Sequence, residues 1–249
     1  MKIMCVCASR AQTMAAGVLL APIAALVAIG CFTSDAVAGA RLRVAVENGN
    51  VVLFTGNNRK TLTSQQRDSE AVISPDQQWV IYTRSAKPAS KSPDEDDSGD
   101  CTALSAPDEL RRVRIDGAGD ELLIRGHAGS EPSQALCAFQ NKQFSADGET
   151  LFFLSPAWAT SSALHAFTLK SRTARYVMPA NDFAILSWCT SDLKDSIVAQ
   201  QHRYLRFGGS FDWYWLFDAS GAKEIAPVGE FDSFDAVKAD LDASGQCAS

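Results

Sequence analysis

The chain has 249 residues, a length typical of one large domain or two small ones. Hydrophobic residues make up 46% and charged residues 21%, which excludes a chain that is disordered throughout. The formal net charge is −6 and Lys and Arg form no cluster, so nucleic acid is excluded as a partner because its phosphates would repel the protein.

A long uncharged segment follows the N-terminus. Lys2 and Arg10 precede residues 11–34, which carry no charge, and Ala36-Val37-Ala38 has the small-x-small pattern of a secretory cleavage site. We predict a signal peptide over residues 1–38. An uncleaved anchor is an alternative because the run could span a bilayer, and Ala28-Ile29-Gly30-Cys31 is similar to a lipoprotein cleavage box. Each alternative predicts a periplasmic or secreted protein that meets the membrane only through this segment.

Two stretches of sequence are similar, and a third matches them more loosely. They are VISPDQQWVIYTR (72–84), QFSADGETLFFLS (143–155) and SWCTSDLKDSIVAQ (187–200). Each has Ser or Thr two residues before an Asp, and an apolar run follows that suits a strand buried on both faces. We interpret Asp76, Asp147 and Asp192 as structural, because an Asp can bond nearby backbone N–H groups and fix a tight turn.

A strand, a short turn and a second strand are predicted after each copy, over residues 110–124, 164–178 and 213–226. A fourth such hairpin, over residues 51–63, lacks the first half of the unit. Gly, Asn, Asp and Ser in the linkers are hairpin signals. The unit is therefore four strands, and its spacing from Asp147 to Asp192 is about the length of a propeller blade.

These motifs resemble the Ser-Pro-Asp-Gly-Lys repeat of TolB-like, WD40-like (PD40-type) β-propellers. SPDQQWVIYT and SADGETLFFLS resemble its first half, and RIDGAGDELLI and FDASGAKEIA its second half. The resemblance implies an all-β, propeller-like array of about four four-stranded blades over residues 39–230, followed by a C-terminal tail over residues 231–249. The array need not be complete, because the family usually closes with six or more blades. The resemblance further implies a periplasmic protein-interaction scaffold with no catalytic residues.

Four cysteines follow residue 38: Cys101, Cys137, Cys189 and Cys247. An even number in an exported chain predicts two disulfides, for which three pairings are possible. We favour Cys101 with Cys137, at the two ends of one repeat unit, and Cys189 with Cys247, which would pin the C-terminal tail. No spacing is CxxC, so structural zinc is not expected.

An acidic insertion at about residues 86–108 interrupts the first full unit. In DEDDSGD (94–100), Asp94, Asp96, Ser98 and Asp100 supply oxygen ligands and Gly99 stands at the sharp turn. This matches the first half of a calcium loop, although Ser105 stands where a bidentate Glu is usual. We favour a solvated acidic loop, with calcium as the one cofactor alternative.

The stretch RYLRFGGSFDWYWLF (203–217) is rich in Arg and aromatic residues, the types enriched at interface hot spots. We favour packing between blades for this stretch. The alternative is an exposed interface for a protein partner in the cell envelope, with Arg206, Trp213 and Trp215 as its candidate residues. A carbohydrate-binding module is the second hypothesis. An enzyme with loop carboxylates is the third and weakest, since the sequence contains no HExxH, G-x-S-x-G or Walker A motif.

Overall fold

The structure is a computed structural model that describes residues 41–86, 107–159, 161–189, 192–245 and 247. Within these ranges fifteen strands form four antiparallel sheets that follow one another along the chain. The predicted signal peptide and the ligands proposed for calcium (Asp94, Asp96, Ser98 and Asp100) lie outside the described residues, as does Cys101. No helix in the described ranges is both long enough and apolar enough to cross a membrane.

In every sheet, strands consecutive in the chain are neighbours. The first sheet has three strands, β1 (Leu42–Glu47), β2 (Asn50–Thr55) and β3 (Asn58–Thr61). The second has β4 (Asp68–Ile73), β5 (Trp79–Arg84), β6 (Glu109–Arg114) and β7 (Glu121–Arg125). The third has β8 (Gln140–Phe144), β9 (Thr150–Trp158), β10 (Ser161–Thr168) and β11 (Thr173–Ala180). The fourth has β12 (Asp182–Ile185), β13 (Ile197–Tyr204), β14 (Ser210–Phe217) and β15 (Glu224–Gly229). A 3-10 turn spans Pro132–Gln134, and helix α1 spans Phe234–Ala243.

This arrangement confirms the predicted all-β, propeller-like array, with one difference at its start. The first sheet contains three strands, whereas the sequence pattern indicated only a hairpin there. The additional strand, β1, joins β2 through Asn48 and Gly49, which both have positive φ (49° and 70°). An Asn-Gly pair is the preferred two-residue hairpin connection. At Gly49 a Cβ would lie 2.5 Å from the backbone of Gln66, so this turn requires glycine.

The apolar runs do not alternate because each middle sheet is covered on both faces. In β5, Val80 and Tyr82 face a core shared with the first sheet, while Ile81 faces a core shared with the third sheet. The same alternation recurs in β9, where Phe153 packs toward the second sheet and Phe152 toward the fourth. Burial of large side chains between successive sheets is therefore the main stabilising contribution.

A charged network lies at one edge of the second sheet. The guanidinium of Arg84 donates to both carboxylate oxygens of Asp68, at 2.7 and 3.1 Å, and to Asp120 at 2.9 Å. The Tyr82 hydroxyl donates to Asp120 at 2.8 Å, and burial together with this bond raises the pKa of Tyr82. The Asp68 side chain is fully buried and that of Arg84 is 9% exposed. The pair of Arg84 with Asp68 is thus formed where water screens it little, whereas the Asp120 side chain is 37% exposed.

Candidate functional site

The hairpin of β13 and β14 presents the largest group of exposed aromatic side chains in the described residues. Its two strands pair without interruption from Ile197 opposite Phe217 to Tyr204 opposite Ser210. The turn is closed by the Leu205 N–H, which donates to the Gly209 carbonyl at 2.9 Å. Gly208 and Gly209 both have positive φ (100° and 88°), which only glycine adopts readily. The hairpin is therefore built to project side chains beyond its sheet.

One face of this hairpin carries a row of aromatic rings. Phe211, Trp213 and Trp215 alternate along β14, with ring centroids 5.2 Å apart for the first pair and 6.2 Å for the second. The Arg203 guanidinium lies 3.6 Å from the centroid of the Trp215 ring, a cation–π contact, and also pairs with Glu224 at 2.7 Å. Trp215 packs against the core between the third and fourth sheets, whereas Trp213 is 37% exposed. The row thus passes from the core to the surface.

The end of the hairpin is more exposed still. We define the hairpin tip as Tyr204, Leu205, Arg206 and Phe207. Tyr204 is 71% exposed, Leu205 54% and Phe207 96%. Tyr204 also packs edge-on against His202, at a centroid distance of 5.0 Å, and His202 bonds Asp212 at 2.9 Å. Several large apolar side chains in contact with water on one hairpin are typical of an interaction surface.

The three residues singled out from the sequence thus occupy different environments. Arg206 is exposed at the hairpin tip, with its guanidinium 6.0 Å from the Phe207 ring centroid, and Trp213 is exposed farther along β14, opposite Gln201. Trp215 is partly buried and packs between sheets. Tyr204 and Phe207, which the sequence pattern did not distinguish from their neighbours, are the most exposed aromatic residues of the group.

Asp76 and Asp147 lie in equivalent tight turns. Asp76 Oδ1 accepts from the Ser74 hydroxyl at 2.5 Å and from the Gln78 N–H at 3.0 Å. Asp147 Oδ1 accepts from Ser145 at 2.6 Å and from the Glu149 N–H at 2.9 Å, and these two bonds hold the pKa of Asp147 below its ordinary value. With every one of these bonds internal to a turn, both carboxylates act as turn-forming groups.

Asp192 takes a different place in its loop. In the three loops the residue with positive φ is Gln77, Gly148 or Asp195, and each stands two positions before its strand begins. The position of Asp76 and Asp147 is therefore held by Lys194, and Asp192 lies two residues earlier. Asp195 instead links the loops, because its Oδ1 accepts from the Ala146 N–H at 2.6 Å.

A polar network joins the first strands of the second, third and fourth sheets. Lys142 donates to Glu70 at 3.2 Å and to Thr83 Oγ1 at 2.8 Å, so it bridges the second and third sheets. Asn141 Nδ2 donates to Asp182 at 3.0 Å and thereby reaches the fourth sheet. The Lys142 side chain is fully buried, and burial lowers its pKa to about 8. These bonds fix the sheets relative to one another.

The buried lysine makes the free energy of unfolding depend on pH. Because its folded pKa of about 8 lies below the ordinary 10.5, the unfolded chain binds more protons here between those values. The contribution of Lys142 to stability therefore rises as pH rises through that window. We therefore expect the free energy of unfolding, measured with urea, to rise more between pH 8 and pH 10.5 for the wild-type protein than for Lys142→Met. Parallel pH profiles for the two proteins would contradict the assignment.

The remaining predicted residues are placed as follows. A disulfide joins Cys189 to Cys247, the pairing expected for the C-terminal tail. Cys137 is also disulfide-bonded. Among the described residues no group of three or more His, Cys, Asp or Glu side chains is arranged to hold a metal ion.

Comparison with known proteins gives structural neighbours only. No protein-family model matches the sequence, and no curated protein matches it. TolB from Acinetobacter baumannii superposes with a TM-score of 0.47 and 11% identity, covering 78% of this chain and 42% of TolB. The tricorn protease superposes with a TM-score of 0.51 and 12% identity, covering 77% of this chain and 16% of the protease. An oligogalacturonate lyase in complex with manganese superposes with a TM-score of 0.47 and 10% identity, covering 74% of this chain and 43% of the lyase.

TolB and other β-propeller proteins are thus the structural neighbours of this chain, in agreement with its predicted propeller repeat. The chain spans less than half the length of the three proteins compared above. At these identities the likeness shows the fold alone, and the neighbours include propeller enzymes as well as TolB.

Proposed function

We propose that this protein is an exported, non-enzymatic scaffold that binds a protein partner in the cell envelope through its β13–β14 hairpin. The observation that supports the proposal most strongly is the 96% exposure of Phe207 at a hairpin tip where Tyr204 and Leu205 are also exposed. Exposing such side chains serves no purpose in folding, whereas aromatic and Arg side chains supply most of the binding energy at protein interfaces.

Export is supported by the cysteines and by the sequence before the propeller. Disulfides persist in oxidising compartments such as the periplasm, and Cys137, Cys189 and Cys247 are all disulfide-bonded. The N-terminal segment has the pattern of a signal peptide.

Truncating the hairpin tip tests the proposal. Complexes are cross-linked in the native compartment, and the binding of the partner identified in them is then measured with purified variants. Phe207→Ala should weaken binding about 30-fold, the loss of about 2 kcal/mol expected for a hot-spot aromatic. Ile225→Ala is the matched control, because Ile225 is a 48% exposed apolar residue of the same sheet outside the hairpin. Equal affinity of the two variants would contradict the proposal.

A further inference from the structure

Helix α1 covers the face of the fourth sheet that points away from the third sheet. Val237 and Leu241 of α1 are buried against Val198 and Leu216. Ile197, adjacent to Val198, belongs instead to the core shared with the third sheet. Successive residues of a strand point to opposite faces, so α1 and the third sheet lie on opposite sides. The helix therefore stands where a further blade of a propeller would pack.

The sequence of the C-terminal tail is suited to this position. Phe234, Val237 and Leu241 recur at spacings of three and four residues, which places them on one face of the helix. Ser233 caps its N-terminus, since its side chain accepts from the Ala236 N–H. A helix of ten residues is marginal on its own, and its stability therefore depends on the sheet beneath it.

A disulfide and an aromatic contact hold the helix in place. Cys189, in the loop after β12, is bonded to Cys247 beyond the helix, and both are buried. Trp188 packs edge-on against Phe234 at a centroid distance of 5.9 Å, and Lys238 Nζ lies 4.9 Å from the centroid of the same tryptophan ring. The tail is thus tied to the fourth sheet at both ends of α1.

The opposite end of the array is chemically different. On the face of the first sheet that points away from the second, the Arg43 guanidinium lies 4.1 Å from the centroid of the Phe54 ring, and Arg59 pairs with Glu47. An apolar sheet face packed here would bury these charges at a cost. Head-to-tail packing of two copies is therefore disfavoured.

We propose that α1 is an end cap that prevents a second copy of this chain from packing onto the fourth sheet. Without α1, the side chains of Leu186, Val198, Tyr214 and Leu216 would form one apolar surface. Because the charged face of the first sheet is a poor match, the fitting partner for this surface is the same surface of another copy. Such a contact is two-fold symmetric and closes at a dimer.

Two substitutions in α1 test the cap. Val237→Asp places a charge on the buried side of the helix and should release it, while Ala239→Asp places the same charge on an exposed position. We expect light scattering after size exclusion to give the mass of one chain for the wild type and for Ala239→Asp. Val237→Asp should give twice that mass, and a protease should cleave it within residues 231–249.

If Val237→Asp does not unfold cooperatively, and is therefore not properly folded, a second variant tests the proposal. The double variant Cys189→Ser, Cys247→Ser loosens the tail without placing a charge in the core and without leaving a free thiol that could link two chains, and its dimer fraction should rise over a concentration series. A folded variant with a released tail that keeps the mass of one chain overturns the proposal, and so does a wild type as dimeric as the variants. A ladder of larger masses contradicts the symmetric contact.

Discussion

Asp68→Ala should lower the free energy of unfolding by about 3 kcal/mol, because it leaves the buried Arg84 guanidinium without its two-oxygen partner. Breaking a buried ion pair typically costs about 3–5 kcal/mol, and the lower end applies here because Asp120 still pairs with Arg84. Urea denaturation followed by tryptophan fluorescence measures the change.

The matched control is an exposed ion pair of the first sheet. Glu47 pairs with Arg59, and the side chains are 38% and 54% exposed. Water screens such a pair, so Glu47→Ala should change the free energy of unfolding by about 1 kcal/mol or less. If Asp68→Ala and Glu47→Ala lowered the free energy of unfolding equally, the greater stabilisation assigned to the buried ion pair of Arg84 would be contradicted.

Phe153→Ala should lower the free energy of unfolding by about 3–5 kcal/mol, the cost of emptying a fully buried aromatic site. Phe153 is 0% exposed, packs edge-on against Phe139 at 5.1 Å, and stacks on His165 at 5.6 Å. It lies in the core between the second and third sheets. The cavity left by Phe153→Ala would therefore weaken the packing between the second and third sheets as well as the packing within the third sheet.

The control for this prediction is the exposed phenylalanine of the hairpin tip. Phe207 is 96% exposed, so Phe207→Ala should change the free energy of unfolding by less than about 0.5 kcal/mol. The denaturation midpoints of the two variants should differ clearly. A Phe153→Ala protein as stable as the wild type would contradict the packing of Phe153 between blades. A strongly destabilised Phe207→Ala protein would show that Phe207 contributes to folding and would contradict its assignment to a binding surface.

The repeat was predictable from the sequence because its signals are local. A Ser two residues before Asp76 or Asp147, followed by an apolar run, specifies a turn and a buried strand within about ten residues. β1 carried an equally local signal in Asn48-Gly49. The loop of Asp192 was harder to place, because two additional residues separate that Asp from its strand and move the positive-φ position to Asp195.

The candidate site was predictable only in part because exposure is a tertiary property. The alternation along β14 predicts that Trp213 and Trp215 share a face. It cannot show that the third sheet covers Trp215 and leaves Trp213 exposed. The partnership of Arg84 with Asp68 and Asp120 joins residues 16 and 36 positions apart, in a chain with many other carboxylates.

The position of helix α1 over the fourth sheet could not be predicted from the repeat pattern. The spacing of Phe234, Val237 and Leu241 after Ser233 is a helix signal. The face that the helix covers depends on Cys189 and the loop after β12. Ser233-Phe234-Asp235 has the Ser-x-Asp spacing of the repeat, but no apolar run of strand length follows it, and helix α1 occupies this place instead.

Site-specific photo-cross-linking in cells that make the protein natively tests the central claim most directly. A photoreactive residue at position 207 should yield one discrete covalent adduct with an envelope protein, while the same residue at position 225, exposed on the same sheet, should yield none. Adducts of equal yield at both positions, or none at position 207, would contradict the assignment of the hairpin tip as the binding surface.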